Sequence, residues 1–266
     1  MRYFGRIAYN GTQYVGWQYQ PNGKSIQQQL EEVLSVILRE SVSVMGCGRT
    51  DAGVHASEFY FHFDCNEILN KALLLNKLNG LLPGDIVFTD IIPVAHSAHA
   101  RFDAEWRTYR YYVSGCKDPF RANAVFYHTL MFKTQFESVC RTAEVISGYW
   151  EFFPFCKSNS QTPHYLCNIK SIKWSAISDQ HWVFEVTANR FLRGMIRLMV
   201  GSCLMVGMGK TDLEDIVDSL ENQSELTRPW SVPGHGLYLC GVEYPYIESV
   251  ENGHFFEPFG PVPETI

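Results

Sequence analysis

The sequence has few charged residues and no apolar run long enough to cross a bilayer. Asp, Glu, Lys and Arg make up 19% of the 266 residues, whereas hydrophobic residues make up 46%. This balance excludes a disordered chain, which would be richer in charge and poorer in aliphatic residues. The longest uncharged helical stretch, residues 198–209, is too short for a membrane span. The start at Met1 has no apolar core of signal-peptide length, so we expect a cytoplasmic protein without a membrane partner.

Motifs for disulfides, metals and nucleotide cofactors are also missing. The eight cysteines are scattered and include no Cys-x-x-Cys pair, so we expect reduced thiols in the core. His96-x-x-His99 and His164-x-x-Cys167 have loose metal-ligand spacing, but neither has a second matching pair. The sequence contains neither a Gly-Lys-Ser/Thr phosphate loop nor a G-x-G-x-x-G fingerprint before a helix. We therefore expect no metal and no cofactor.

The negative charge lies mostly in the carboxyl-terminal quarter. The whole chain has a formal net charge of -6, and residues 212–266 hold 11 acidic side chains against one basic one. Residues 1–211 are therefore mildly basic. An acidic total argues against a protein that coats nucleic acid indiscriminately, but a whole-chain charge does not show where basic side chains cluster.

Hydrophobic periodicity predicts the order strand, helix, strand, strand, helix, strand twice along the chain. In the first half these elements fall at residues 2–9, 26–38, 42–47, 56–63, 68–82 and 86–92, with Ser25 as the N-cap of the first helix. In the second half they fall at 106–113, 136–146, 169–177, 182–188, 191–206 and 237–242, with insertions at 117–133 and 151–164 and an extra acidic helix at 212–222.

The repeated order is that of the split, ferredoxin-like β-α-β-β-α-β motif. We therefore predict an α+β protein of two ferredoxin-like halves, residues 1–98 and 99–266, with a boundary near residues 94–103. Two half-sheets side by side would form a large open surface, with a cleft between them that suits a long ligand.

The most unusual segment is Gly46-Cys47-Gly48-Arg49-Thr50-Asp51-Ala52-Gly53-Val54-His55-Ala56, which falls in a loop between two predicted strands. Its glycines allow close approach to a ligand. An arginine two residues from an aspartate favours the ionised carboxylate, which a nucleophile or base requires. The alternative is a structural Asx-turn, in which Asp51 bonds its own backbone.

A second candidate is the strand that begins at Trp106, where arginines and tyrosines alternate. We expect Arg107, Tyr109 and Tyr111 on one face and Arg110 and Tyr112 on the other. Such a pattern suits nucleic acid, because guanidinium groups reach phosphates and aromatic rings stack on unstacked bases. The alternative is an amphipathic strand with an aromatic core face.

A third candidate is the predicted helix from Phe191. Arg190, Arg193 and Arg197 are three and four residues apart, so we expect them on one helical face that binds phosphate or carboxylate groups. No acidic residue occurs in this segment. The alternative is a solvated face without a ligand.

Together these segments resemble the tRNA pseudouridine synthase A family. The resemblance lies in five blocks in order, namely residues 48–56, the opening Gly11-Thr12-x-Tyr14-x-Gly16-Trp17 with Ser25-Ile26-Gln27, residues 100–111, residues 191–201 and residues 236–239. It spans about residues 9–244. The chain departs from the family at Trp150-Glu151-Phe152, where His-Asp-Phe is usual, and at Val232-Pro233-Gly234-His235.

The resemblance implies two ferredoxin-like (RRM-like) halves that form a mixed, mainly antiparallel sheet with a central RNA-binding cleft, and a homodimer. The implied activity is isomerisation of uridine to pseudouridine at positions 38, 39 and 40 of the tRNA anticodon stem-loop. By the same resemblance, Asp51 is the catalytic aspartate, Tyr109 stacks on the target base, Arg197 pairs with the aspartate, and Arg49 is the signature arginine beside it. No cofactor is implied, because the reaction is neither a redox step nor a loss of a group.

Two other functions are compatible with parts of the sequence. A non-catalytic RNA-binding module would need an RNP-type aromatic pattern on its sheet, and no Lys/Arg-Gly-Phe/Tyr-Gly/Ala-Phe run occurs. A small-molecule hydrolase or phosphotransferase with an aspartate nucleophile would need a metal cluster or a phosphate loop. Neither motif is present in the sequence.

Overall fold

The computed structural model of the protein describes residues 1–158, 160, 162–248 and 258–259. Two compact units make up this part of the chain. The first contains residues 1–107 and 238–248, and the second contains residues 108–237 with 258–259. The predicted division at residue 98 stays a prediction. Of the acidic carboxyl-terminal segment, residues 249–257 and 260–266 lie outside the described residues.

The first unit consists of a sheet and two helices. Its elements are β1 (Arg2–Tyr9), α1 (Ile26–Leu38), β2 (Met45–Gly46), β3 (His55–Asp64), α2 (Lys71–Leu81), β4 (Ile86–Val94) and β9 (Leu237–Glu243), which belongs to this unit from Tyr238 onward. The strand order is β4-β1-β3, and β2 and β9 both pair with β3. Alternate residues Phe59, Phe61 and Phe63 of β3 are fully buried and form the centre of the apolar core.

The second unit also combines a sheet with helices. Its elements are β5 (Trp106–Ser114), which belongs to this unit from Thr108, β6 (Phe126–Tyr127), α3 (Phe136–Ser147), β7 (Ile169–Ser178), β8 (His181–Ala188), α4 (Met195–Gly207) and α5 (Leu213–Glu221). Strand β5 lies between β6 and β8, and β7 is the outer neighbour of β8. Helix α3 packs against both α4 and β7.

The predicted α+β class is confirmed, with mixed and mostly antiparallel strand pairing. The pairs β1–β3, β1–β4, β2–β3 and β7–β8 are antiparallel, whereas β3–β9 and β5–β6 are parallel. The predicted cap of α1 is also confirmed, because the Ser25 hydroxyl accepts a hydrogen bond from the Gln28 amide at 3.2 Å. None of the helices in the described ranges is long and apolar enough to cross a membrane.

The predicted strand at residues 42–47 is largely wrong. Met45 and Gly46 pair with β3, and the Cys47 amide donates to the Tyr60 carbonyl of β3 at 2.8 Å, but the strand β2 itself spans two residues. The amide of Val42 donates to the Ser35 hydroxyl at 3.0 Å, and the amide of Val44 donates to the Glu31 carboxylate at 3.0 Å. Side chains of α1 therefore satisfy the backbone groups that a longer strand would have paired.

Candidate active site

Arg49 and Asp51 lie together on the loop of residues 47–54, which connects β2 to β3 in the first unit. Arg49 is exposed, Asp51 is half-buried and Thr50 between them is buried. The carbonyl of Asp51 accepts a hydrogen bond from the Val54 amide at 3.2 Å, and Gly53 has a φ of +74°. A glycine at this position allows the chain to turn back into β3 without steric strain.

The segment after β1 holds this loop in place. The hydroxyl groups of Tyr9 and Thr50 share a buried hydrogen bond of 2.9 Å. The Trp17 amide donates to the Thr50 carbonyl at 3.2 Å, and the Gly53 amide donates to the Tyr14 carbonyl at 3.3 Å. Thr50, directly before Asp51, and Gly53, two residues after it, are thus both hydrogen-bonded to the segment of residues 9–17.

Arg107 is a structural residue in the first unit. Its guanidinium donates to the carbonyls of Ala104 at 2.7 Å, Arg101 at 2.7 Å and Cys47 at 3.1 Å. These bonds connect the beginning of the loop of residues 47–54 to the segment before β5. The expectation that Arg107 serves nucleic-acid binding from an open strand face is therefore not supported by its contacts.

Tyr109 is the partly exposed aromatic residue in the part of β5 that belongs to the second unit, Thr108–Ser114. It is half-buried, and its ring contacts that of Phe191 edge to face with centroids 5.1 Å apart. By contrast, Tyr111 and Tyr112 are both buried in the second unit, and Arg110 pairs with Glu185 at 2.7 Å. Among the tyrosines of β5 in this unit, Tyr109 is therefore the one whose side chain is half-buried rather than buried in the core.

The predicted helical face of three arginines is wrong. Helix α4 begins at Met195, directly after a turn at Arg193 and Gly194 in which Gly194 has a left-handed φ of +73°. Arg190, before the helix, donates to the Thr162 hydroxyl at 3.1 Å and to the His164 ring. The backbone of Arg193 accepts from the Lys157 amide at 3.0 Å. Only Arg197 lies on the helix.

Arg197 is hydrogen-bonded to the segment of residues 232–235. Its Nε donates to the Val232 carbonyl at 2.6 Å, and its carbonyl accepts from the Val232 amide at 3.3 Å. The neighbouring Tyr111 hydroxyl donates to the Pro233 carbonyl at 2.8 Å. Burial, with the charge of Arg197 as a second cause, lowers the pKa of His235. This ring is therefore neutral at pH 7, which avoids a second positive charge beside Arg197.

Comparison with known proteins identifies the family. A family model described as tRNA pseudouridine synthase matches residues 148–245. The tRNA pseudouridine synthase A of Porphyromonas gingivalis is 44% identical over 251 residues, which cover 92% of this chain and 97% of that protein. The proteins of the same name from Azobacteroides pseudotrichonymphae (92% of this chain and 97% of that protein) and Bacteroides thetaiotaomicron (92% and 91%) are each 42% identical. The chain belongs to the tRNA pseudouridine synthase A family. Pseudouridine synthases are isomerases, so this chain is an isomerase.

In this member of the family, two glycines explain the form of the opening motif. A Cβ on Gly11 would overlap the Val54 carbonyl, and a Cβ on Gly16 would overlap the Thr50 carbonyl. Gly16 also has a φ of +109°, which a side chain would strain. The motif thus allows the segment after β1 to lie directly against the loop that carries Asp51.

His55 is the residue of this pseudouridine synthase that the sequence analysis missed. It lies at the start of β3, is 1% exposed, and accepts a hydrogen bond from the Gly11 amide at its Nδ1. Its ring stacks on Tyr238 of β9 with centroids 4.6 Å apart. The sequence signal was its place four residues after Asp51 in the family block, but the sequence did not show that Gly11 is its partner.

No group of three or more His, Cys, Asp or Glu residues within the described ranges has the arrangement of a metal site. The site residues divide between the two units, with Arg49 and Asp51 in the first and Tyr109 and Arg197 in the second. Pairing of Arg197 with Asp51 stays a prediction.

Proposed function

We propose that this chain converts uridine to pseudouridine at positions 38, 39 and 40 of the tRNA anticodon stem-loop, with Asp51 as the essential carboxylate. The observation that carries the proposal is the loop of residues 47–54, in which Asp51 lies between Thr50 and Gly53, both hydrogen-bonded to the segment of residues 9–17. The chain that contains this loop belongs to the tRNA pseudouridine synthase A family. Such preorganisation suits a catalytic group, because a displaced carboxylate loses much of its effect on the rate.

The chemistry requires a positioned carboxylate. The glycosidic bond between C1′ and N1 breaks, the uracil turns, and C1′ bonds to C5, with the proton at C5 released to solvent and a proton gained at N1. Asp51 would act by attack at C1′, by attack at C6, or by removal of a sugar proton. Each route uses the ionised form of the side chain.

The other site residues would bind and orient the substrate. Tyr109 would stack on the target uracil after it leaves the helix, and base–aromatic stacking of about 1–3 kcal/mol would offset part of the cost of flipping the base. Arg197 would pair with Asp51, and the exposed Arg49 would contact the RNA backbone.

The proposed architecture is two ferredoxin-like halves with a central cleft for RNA, in a cytoplasmic homodimer. Support for the first half comes from its strand order, β4-β1-β3 with β2 beside β3, and from the β1-α1-β2-β3-α2-β4 succession. The proposed halves divide at residue 98.

The test is tritium release from tRNA labelled at uracil C5. We expect Asp51→Asn and Asp51→Ala proteins to fold and to bind tRNA but to release no tritium above background. Asp179→Asn is the matched control, because Asp179 is an exposed aspartate in the turn between β7 and β8. Substantial release by either Asp51 variant would exclude the proposed role, and sequencing of the modified positions after carbodiimide labelling would test the choice of positions 38–40.

A further inference from the structure

Phe102 presents an aromatic ring to solvent on the loop of residues 95–105, which follows β4 in the first unit. Its side chain is 74% exposed. One face of the ring is already covered, because it stacks on His99 with centroids 4.2 Å apart and an angle of 29° between the planes. The ring is thus the end of a short aromatic stack with its remaining surface open to water.

Backbone hydrogen bonds fix the position of this stack. The amides of Arg101 and Phe102 both donate to the His99 Nδ1, at 3.1 and 3.2 Å. The His99 amide donates to the Asp103 carboxylate at 2.8 Å, and the Asp103 amide donates to the His99 carbonyl at 3.0 Å. A further contact secures Asp103, since the Tyr246 hydroxyl donates to its carboxylate at 2.6 Å. The loop therefore fixes the backbone of Phe102 and the His99 ring on which its side chain stacks.

A positive charge lies beside the ring. The Arg101 guanidinium carbon is 5.8 Å from the centre of the Phe102 ring, and the residue is exposed. Within the part of the chain that the structure describes, the Arg101 guanidinium forms no ion pair, whereas Asp103 is occupied by the contacts above. A flat ring with an adjacent guanidinium is complementary to a base and its phosphate.

The stack is connected to the loop that carries Asp51. Arg107 donates at once to the Arg101 carbonyl and to the Cys47 carbonyl, so one guanidinium fixes the position of both loops. A nucleotide bound at Phe102 would consequently lie on the same unit as the carboxylate and in a fixed relation to it.

We propose that Phe102 is a stacking platform for an unpaired tRNA base outside the catalytic site, with Arg101 at the adjacent phosphate. The inference rests on the proposed function, which supplies the tRNA. A protein partner fits less well, because the residues on either side of Phe102 are Arg101 and Asp103, so the ring is a single aromatic face rather than part of an apolar groove.

The experiment measures the Kd of an unmodified tRNA transcript by filter binding over a series of KCl concentrations. We expect Phe102→Ala to raise Kd about tenfold without changing the salt slope, because stacking is lost and no charge is removed. Phe102→Trp should stay close to wild type, since it keeps the aromatic face. Arg101→Gln should lower the slope of log Kd against log salt by about one.

Phe132→Ala is the matched control, because Phe132 is also 74% exposed and also has a cation, Lys133, 5.5 Å from the centre of its ring. It should leave Kd unchanged. The proposal is overturned if Phe102→Ala binds like wild type, if Phe102→Trp binds as weakly as Phe102→Ala, or if light scattering shows that Phe102→Ala changes the oligomeric state. Tritium release by the wild type is read separately, so failure of the proposed function would appear there and not in the comparison of Kd values.

Discussion

The imidazole of His55 accepts a hydrogen bond from the backbone amide of Gly11, with 3.0 Å between the two nitrogens, in a buried part of the first unit. A backbone N–H can only donate, so Nδ1 of His55 carries a lone pair and not a proton. The bond joins the segment after β1 to the first residue of β3, four residues beyond Asp51. Because Val54 lies against Gly11 as well, this contact sets how the loop of residues 47–54 enters the strand.

His55 is therefore expected to be a positioning residue for Asp51, and two variants separate its two contacts. His55→Phe keeps an aromatic ring against Tyr238 but leaves the buried Gly11 N–H unpaired, which costs about 1–3 kcal/mol. His55→Asn lacks the stack but has an amide oxygen near the place of Nδ1. We expect kcat to fall at least tenfold in His55→Phe with KM little changed, and to recover in part in His55→Asn, as measured by tritium release from labelled tRNA.

Urea unfolding of the same proteins provides the control for stability. A merely structural role would lower stability in both variants while leaving the kcat of the folded fraction at the wild-type value. That result, or a lower kcat in His55→Asn than in His55→Phe, would contradict the assigned role of the hydrogen bond.

Local patterns predicted most of the secondary structure because local causes determine it. Helix α1 begins after Ser25, as expected, since the capping hydroxyl and the apolar stripe act within a few residues. The start of α2 was expected at residue 68 but lies at Lys71, where the side chain of Asn70 accepts from the Leu73 amide at 2.9 Å. In this case a nearby competing cap, also a local signal, determines the boundary.

Tyr109 should act on turnover far more than on affinity. Phosphate contacts dominate the binding of tRNA, whereas a ring that stacks on one flipped base acts when that base leaves the helix. We expect Tyr109→Ala to lose most of kcat while the Kd for tRNA stays within about tenfold of wild type, and Tyr109→Phe to retain the larger part of kcat.

Tyr127→Ala is the matched control for Tyr109, because Tyr127 is a partly exposed tyrosine on β6 of the same unit. Tyr127→Ala should keep the wild-type kcat and the wild-type Kd for tRNA. Should Tyr109→Ala weaken tRNA binding by much more than tenfold, the ring would serve docking rather than the reaction.

The site was less predictable than the elements, since its side chains are placed by contacts that are distant in sequence. Spacing put Arg190, Arg193 and Arg197 on one face, but the left-handed backbone at Gly194 makes the spacing rule inapplicable before Met195. Periodicity cannot report a positive φ, and it cannot report that Arg190 has Thr162 as a partner 28 residues away.

The free energy of unfolding should decrease as the pH is lowered from 7, and His62 should account for part of this decrease. Burial, with the charges of Arg2 and His99 as further causes, lowers the pKa of His62 to about 4. In the unfolded chain the same ring has a pKa of about 6.5. Between these two values the unfolded state binds a proton that the folded state does not, so acidification favours unfolding.

His62→Asn isolates this contribution. The Nδ1 of His62 accepts from the Ala100 amide at 3.1 Å, and an asparagine amide oxygen can replace that acceptor without titrating. At pH 7 the variant should be the less stable protein, because packing beside His99 is lost. Between pH 7 and pH 5 only the wild type loses stability through this ring, because His62 gains a proton in the unfolded state and not in the folded state. The free energy of unfolding of the wild type should therefore fall by about 2 kcal/mol more than that of the variant. Urea titrations at both pH values measure it, and other titrating groups such as His128 cancel because both proteins contain them. A difference that stays constant would mean that His62 takes up its proton equally in the folded and unfolded states.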